Sequence, residues 1–263
     1  MVESNDRAAA ENPFKVSLRN GGVALGFWNS LANPMLAELV AEHGGIRWML
    51  FDAEHAPNNV HTLMAQLQAI RFSGIPAMVR PVRNHPVEIK RLLDIGFRNL
   101  LIPSVQSADE AREAVRATRY PPNGVRGVSA YHRNNGYGRI ADYFEYIDDA
   151  IAVIAQIESI EAMDRLEDIA AVPGIDALFV GPGDLAASLG HLGQVKAAPV
   201  QEAIRAIGRR ARAQGCTIGI AAGTMEDVAR YRDWGYSLCT VGSDVQLFRQ
   251  AVGRLSDAML GFK

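Results

Sequence analysis

The sequence predicts a single-domain α/β fold, a (β/α)8 TIM barrel, on three observations. Eight short apolar runs alternate with stretches of helical length along 263 residues, a length common for one such barrel. The runs are apolar at consecutive rather than alternate positions, as in WMLFD and IAVIAQI, which suits parallel strands covered on both faces. No Gly-x-Gly-x-x-Gly follows the first run, GPGDLAASLG lacks the placement of a dinucleotide turn, and no Walker Lys-Ser/Thr occurs. All three argue against the competing open doubly wound sheet.

The elements follow in order. Residues 1–15 are polar and Ala/Asn-rich without the apolar centre of a signal peptide, so 1–20 are expected to form a flexible arm and 21–263 the barrel. Strand one is expected at 23–28 (VALGFW). A helix follows from Pro34 to about residue 42, with proline in its first turn and Gly44-Gly45 after its end. Strand two is 48–52 and its helix 60–71; strand three is 77–80 and its helix 87–95; strand four is 100–103 and its helix 108–118. From 119 to 149 the rhythm breaks in a stretch rich in Pro, Gly, Asn and Arg, and so long an irregular connection in a compact domain is usually functional, an interface, or mobile. Strand five ends in Gln156 and Glu158, a crossover helix is expected over 160–171, and strand six (177–180) leads into Gly181-Pro182-Gly183-Asp184. A loop at 190–199 and a helix over 200–213 precede strands seven (217–221) and eight (238–241), whose helices are 225–234 and 245–260.

Composition excludes several function classes. A net charge of −2 leaves no basic footprint for nucleic acid and no polybasic membrane signal. No apolar run is long enough to span a bilayer. Cys216 and Cys239 lie in apolar segments and are expected to be buried reduced thiols. A cytoplasmic enzyme is the expected class.

In a barrel the strand carboxyl ends converge on one mouth, and here they repeatedly finish in polar groups. Strand one offers Trp28, strand two Asp52, Glu54 and His55, strand three Arg80, strand five Gln156 and Glu158, strand six Asp184, and strand eight Asp244. Gln156 and Glu158 are two apart and share a face, while Glu158 and Asp184 end neighbouring strands of one βαβ unit. Two carboxylates in one cleft suit a hard, oxygen-liking divalent cation. Plainer readings stay open: a solvated strand-end charge at Glu158, and a helix N-cap at Asp184. His55 lies three residues after Asp52, a spacing at which a carboxylate can steer an imidazole acting as general base; the alternative makes Asp52 a cap and His55 a solvated loop residue. The fork of Arg80 suits a substrate carboxylate, with structural pairing to Glu54 or Asp94 as the competing view. His43, His61, His85, His132 and His191 show no metal-ligand spacing and are expected on the surface or in loops. Together the strand-end groups point to proton abstraction beside a carbonyl: a divalent ion on Glu158 and Asp184 chelating a 2-oxo acid, Arg80 adding positive potential, and His55 moving the proton.

The motifs FDAEHAPN, VRPV, IKRLLDIG, LLIPSV, ATRYPPNGVRGV, QIES and GPGDLAASLG, in this order, resemble the HpcH/HpaI aldolase family over about residues 23–260. The likeness is strongest to its 4-hydroxy-2-oxoheptanedioate and 2-keto-3-deoxy-sugar-acid aldolases. It implies a class II pyruvate aldolase of aromatic or sugar-acid catabolism, dependent on magnesium, manganese or cobalt, and a homohexamer with exchanged terminal helices. Carried over by motif, Glu158 and Asp184 match the metal ligands, His55 and Asp52 the base and its support, Arg80 the pyruvate-binding arginine and Gln156 the glutamine before the ligand. Glu54 and Asp94 match further polar positions, and Trp28, Gly183, Glu54 and Asp94 are expected on the substrate side of the mouth. YHRNNGYG and the small residues of Ile220-Ala221-Ala222-Gly223 depart from the heptanedioate pattern and leave the aldehyde open. A citramalyl- or malyl-CoA-type lyase and a non-catalytic metabolite-binding barrel are the alternatives.

Overall fold

Eight parallel strands follow the order of the chain and close on themselves in the computed structural model, which describes residues 11–19 and 21–262. They are β1 (Ala24–Asn29), β2 (Trp48–Asp52), β3 (Ala77–Arg80), β4 (Asn99–Ile102), β5 (Ala152–Ile157), β6 (Ala177–Val180), β7 (Ile218–Ala222) and β8 (Leu238–Ser243). The helices are α1 (Pro13–Ser17), α2 (Pro34–Ala41), α3 (Val60–Ala69), α4 (Pro86–Asp94), α5 (Ala108–Thr118), α6 (Tyr143–Tyr146), α7 (Ile160–Asp164), α8 (Leu166–Ala170), α9 (Pro182–Ser188), α10 (Ala198–Ala213), α11 (Met225–Asp233) and α12 (Asp244–Gly261). Several begin where the sequence supplies an N-cap oxygen: the side chains of Asn33, Asn59, Ser107, Thr224 and Ser243 accept from the first-turn amides of α2, α3, α5, α11 and α12.

Each strand is apolar on both faces because each face meets a different core. One set, including Phe51, Val79, Leu100 and Val153, packs outward against the helices. The other set, Trp48, Leu50, Met78, Leu101, Ile154 and Phe179, fills the barrel. Trp48 sets that filling: its indole meets Phe179 edge-on at 6.4 Å and Phe14 at a tilt at 6.0 Å, and it leaves no room for a side chain at Gly26. A Cβ there would lie 2.2 Å from the indole Cε2.

Phe14 shows where the expected flexible arm must be corrected. From Asn12 to Leu18 the chain is ordered, with α1 lying across the amino ends of the strands. The Asn12 amide donates to Asn99 Oδ1 and to the Ala150 carbonyl, each at 2.8 Å. Lys15 Nζ reaches the Ile151 carbonyl at 2.9 Å and Asp176 at 3.2 Å. Phe14 and Leu18 join the inner core from below. One turn of helix carries too few apolar residues to show periodicity, so the polar composition dominated the sequence reading. Residues 1–10 of the expected arm lie outside the described residues.

Two further differences bear on the site. The single helix expected over 160–171 is two, broken at Arg165 (φ −103°, ψ 20°). Its buried stripe, Ala162, Leu166 and Ile169, continues through the break, which is why the periodicity read as one helix. The helix expected from Leu185 starts at Pro182, so Asp184 stands inside its first turn rather than at its cap. The 119–149 connection packs into the fold. Arg126, Tyr143 and Ile147 are buried in it, and because it joins α5 to β5 it lies at the amino ends of the strands.

Candidate active site

The site begins with register. Asp52 and Arg80 end β2 and β3 and are paired directly across the sheet. The carboxylate and guanidinium therefore meet in a bidentate fork, Nε to Oδ1 at 2.9 Å and Nη2 to Oδ2 at 2.7 Å, with Asp52 2% and Arg80 5% exposed. Trp28, from β1, donates its indole N–H to Asp52 Oδ2 at 3.3 Å and lays its ring 4.7 Å from the Arg80 Cζ. Glu54 Oε2 lies 2.8 Å from Arg80 Nη1. That contact is an ion pair without hydrogen-bond alignment, so Oε2 is buried with no hydrogen-bond donor among the described residues.

These contacts set the charges. Burial pushes the Asp52 carboxyl up, but the two hydrogen bonds and the charge of Arg80 outweigh it, holding it below its ordinary value. Glu54 moves the other way: its burial and the neighbouring Glu158 and Asp52 charges together exceed the pull of Arg80 and His55, and its affinity for a proton rises.

The predicted Asp52–His55 dyad is not formed. Asp52 Oδ1 accepts the backbone amides of Glu54 (3.0 Å) and His55 (3.4 Å), and both of its oxygens serve Arg80. The tight turn leaves the imidazole on the rim, 65% exposed, with Nε2 3.7 Å from Glu54 Oε2. Glu54, not Asp52, is thus the carboxylate beside the His55 ring. Asp52 acts on Arg80, and the competing expectation of a structural partner for Arg80 holds for Glu54.

Across the mouth, Gln156 and Glu158 share a face as their spacing requires, and the Gln156 amide donates to Glu158 Oε2. Glu158 Oε1 accepts the Ser104 amide at 2.8 Å and its hydroxyl at 3.0 Å. Ser104 follows β4 in the left-handed region (φ 54°), a conformation uncommon for a residue with a side chain and one that aims both donors at the carboxylate. Burial raises the proton affinity of Glu158; the Ser104 hydrogen bonds oppose this and the charge of Asp184 adds to it. Asp184 and Gly183 lie exposed at the start of α9. A Cβ at Gly181 would sit 2.5 Å from Glu158 Oε2 and 2.7 Å from Gln156 Nε2, so only glycine leaves the pair in place. Ser104 and Gly181 were not singled out from the sequence; the signal for Ser104 was a polar residue just past strand four, one of two strand ends, with strand seven, left without a candidate.

Two predicted positions fall outside the cluster. Asp94 ends α4, which runs back along the barrel, so its carboxylate sits at the amino end. There it pairs with the buried Arg126 at 2.8 Å and lies 3.9 Å from His132 Nε2. Within one chain it belongs to the packing of the 119–149 connection, where His132 is likewise buried. Asp244 accepts backbone amides from Ser30, Leu31 and Val245 at 2.8–3.0 Å and ties the β1–α2 loop to α12.

The donor set near Glu158 is two carboxylates. Among the described residues no three His, Cys, Asp or Glu side chains gather as a metal site. Two carboxylates with free lone pairs at a solvent-open mouth still fit a hard cation such as magnesium, which keeps waters or substrate oxygens in its other positions.

Residues 24–251 match the family model for HpcH/HpaI aldolase/citrate lyase. The chain is 47% identical over 246 residues to a 5-keto-4-deoxy-D-glucarate aldolase of Shigella sonnei, covering 94% of this chain and 96% of that protein. It is 46% identical over 253 residues to the same enzyme of Klebsiella pneumoniae, covering 96% and 98%. The crystal structure of an HpcH/HpaI aldolase/citrate lyase family protein from Burkholderia cenocepacia matches with a TM-score of 0.89 at 39% identity, covering 94% of this chain and 99% of that one.

Proposed function

The chain belongs to the HpcH/HpaI aldolase/citrate lyase family, and from that premise we propose that it is a lyase cleaving 4-hydroxy-2-oxo sugar acids reversibly to pyruvate and an aldehyde. One observation carries the reading. The barrel mouth holds a buried arginine fixed by carboxylates and an indole, and facing it a buried carboxylate with a second acid beside it. The first half suits a 2-oxo acid's carboxylate and the second a divalent cation. The sugar-acid class follows the relatives, which are 5-keto-4-deoxy-D-glucarate aldolases.

Glu158 and Asp184 would hold the cation, magnesium, manganese or cobalt. When bound it supplies a Lewis acid for negative charge developing on the keto oxygen. Arg80 spends three N–H groups or contacts on Asp52 and Glu54, which leaves part of its fork for the substrate carboxylate. Trp28 and Asp52 keep that fork in place, and Gln156 and Ser104 do the same for Glu158. His55, on the rim beside Glu54, takes the proton of the 4-hydroxyl as the C3–C4 bond breaks. The bond pair remains on C3, the aldehyde leaves, and His55 passes the proton it has taken to C3, completing pyruvate; in reverse it removes that methyl proton.

The exposed apolar residues of α12, among them Phe248, Leu255, Met259 and Leu260, favour a homo-oligomer in which this helix packs on another subunit, as a hexamer with exchanged helices requires. No helix among the described residues is long and apolar enough to cross a membrane; a cytoplasmic placement is part of the proposal, by analogy with the aldolase relatives.

The test is a pyruvate-release assay over a panel of 4-hydroxy-2-oxo acids with and without chelator. Release from the sugar acids, lost on chelation and restored by magnesium, manganese or cobalt, is expected. Full activity after exhaustive chelation, or borohydride trapping of a pyruvate imine, refutes the class II assignment.

A further inference from the structure

A cavity of ≈ 340 Å³ opens beside the mouth, and its inner end is made of groups already in the site: Glu54, paired to Arg80, and Ser104, bonded to Glu158. Its outer part is built by the loops after β3 and β4, with Arg83 and Asn84 on one side and Gln106, Glu110 and Glu113 on the other. The polar groups differ in how far they are already committed. Asn84 Nδ2 donates to the Glu110 carbonyl at 2.9 Å, and Glu110 Oε2 accepts the Gln106 amide at 2.7 Å. Arg83 has only a 3.6 Å ion pair with Glu88, between side chains 66% and 34% exposed. A pair so long and open contributes little, so a ligand carboxylate competes with it on favourable terms. Among the described residues, Arg83 is also the one cation lining this cavity.

We propose that this cavity is the acceptor subsite and that Arg83 selects aldehydes ending in a carboxylate. The inference rests on the aldolase reading above and deepens it. With the 2-oxo end of the substrate held at Arg80, the remaining carbons have to leave the mouth. Arg83 lies three residues further along the chain, at most about 11 Å away in backbone reach. A six-carbon diacid then spans the two arginines. The acidic wall repels a carboxylate but accepts hydroxyl donors, so the charged end turns to Arg83 and the intervening hydroxyls to the Glu110 and Glu113 side chains. An apolar aldehyde would strand these polar groups, which disfavours it.

The test compares two substrates differing only at the far end. One is 5-keto-4-deoxy-D-glucarate; the other is its six-carbon analogue with CH2OH in place of the distal carboxylate. Pyruvate release gives kcat/KM for each, and deuterium uptake into the pyruvate methyl group reports the central chemistry without any aldehyde. Arg83→Gln is expected to lower kcat/KM on the diacid about tenfold, chiefly through KM, as loss of a charge-assisted hydrogen bond at a partly open site. On the neutral-ended analogue the change should stay under about twofold, because no charge-assisted bond is lost there. Arg83→Lys should recover part of the loss, and methyl exchange should match wild type in both variants. Unchanged diacid kinetics, or an equal fall on both substrates, overturns the assignment of Arg83 while leaving the aldolase reading intact. Absence of methyl exchange in the metal-loaded wild type removes the aldolase reading instead, and the acceptor subsite with it.

Discussion

Replacing Asp52 by asparagine separates two accounts of that residue. If Asp52 orients His55, the substitution damages proton transfer and leaves the fold alone. The structure instead gives Asp52 a bidentate bond to Arg80 with both groups almost fully buried. Removing one partner of a buried pair costs about 3–5 kcal/mol, because the other charge is left uncompensated. Here Glu54 stays 2.8 Å from Arg80 and bears part of that charge, so about 2–3 kcal/mol is the reasonable expectation by the same rule. For a domain of this size that corresponds to a melting temperature lower by roughly 4–10 °C. The sign with pH follows from the depressed Asp52 value. A carboxyl held below its unfolded value stabilises the fold fully above that unfolded value, and the contribution fades as pH falls through the folded one. The gap between wild type and Asp52→Asn should therefore be constant near neutrality and close only below the ordinary aspartate range. Thermal melts across that range, together with the KM for pyruvate, make the assay. An Asp52→Asn protein that melts like wild type, and whose defect disappears in a His55→Ala background, would restore the dyad and refute the assignment of Asp52 to Arg80.

Three other perturbations have defined outcomes. His55→Ala should keep its divalent cation, measured by titration calorimetry with manganese, yet lose roughly a hundredfold in pyruvate methyl exchange if general-base magnitudes apply; loss of the cation would make His55 a ligand. Gly181→Ala drives a methyl group into the Glu158–Gln156 pair, so manganese affinity should fall by tenfold or about that, the loss of one well-placed charged contact, and an unchanged affinity would show that the pair is not needed. Phe14→Ala empties the lower end of the barrel interior, 3% exposed in the wild type, and should cost about 3–5 kcal/mol in urea unfolding without changing KM; a neutral result would mean that α1 is not seated there.

The barrel was legible because its strands are buried on both faces and most of its connections are short, so apolar runs and turn residues delimit them. Gln156 and Glu158 were placed together correctly because period two is a local rule. The partner of Asp52 was not legible, since it depends on which residue of β3 lies opposite, and that register is set by the whole sheet. Within one chain Asp94 lies apart from the mouth for a related reason: a motif neighbour in sequence sits a helix length away once α4 turns back. α1 carries its information in single contacts, Asn12 to Asn99 and Phe14 to Trp48, which no window of composition reports. Ser104 acts through an unusual backbone angle as much as through its side chain.

The central claim is that Arg80 grips a 2-oxo acid while Glu158 and Asp184 hold a cation against it. Deuterium exchange into the pyruvate methyl group, followed by NMR in heavy water with magnesium and no aldehyde, tests it most directly. The account predicts steady exchange by the wild type, abolished by chelation, by Glu158→Gln and by Arg80→Ala. Exchange that persists in the chelated protein, or in either variant at the wild-type rate, would contradict it.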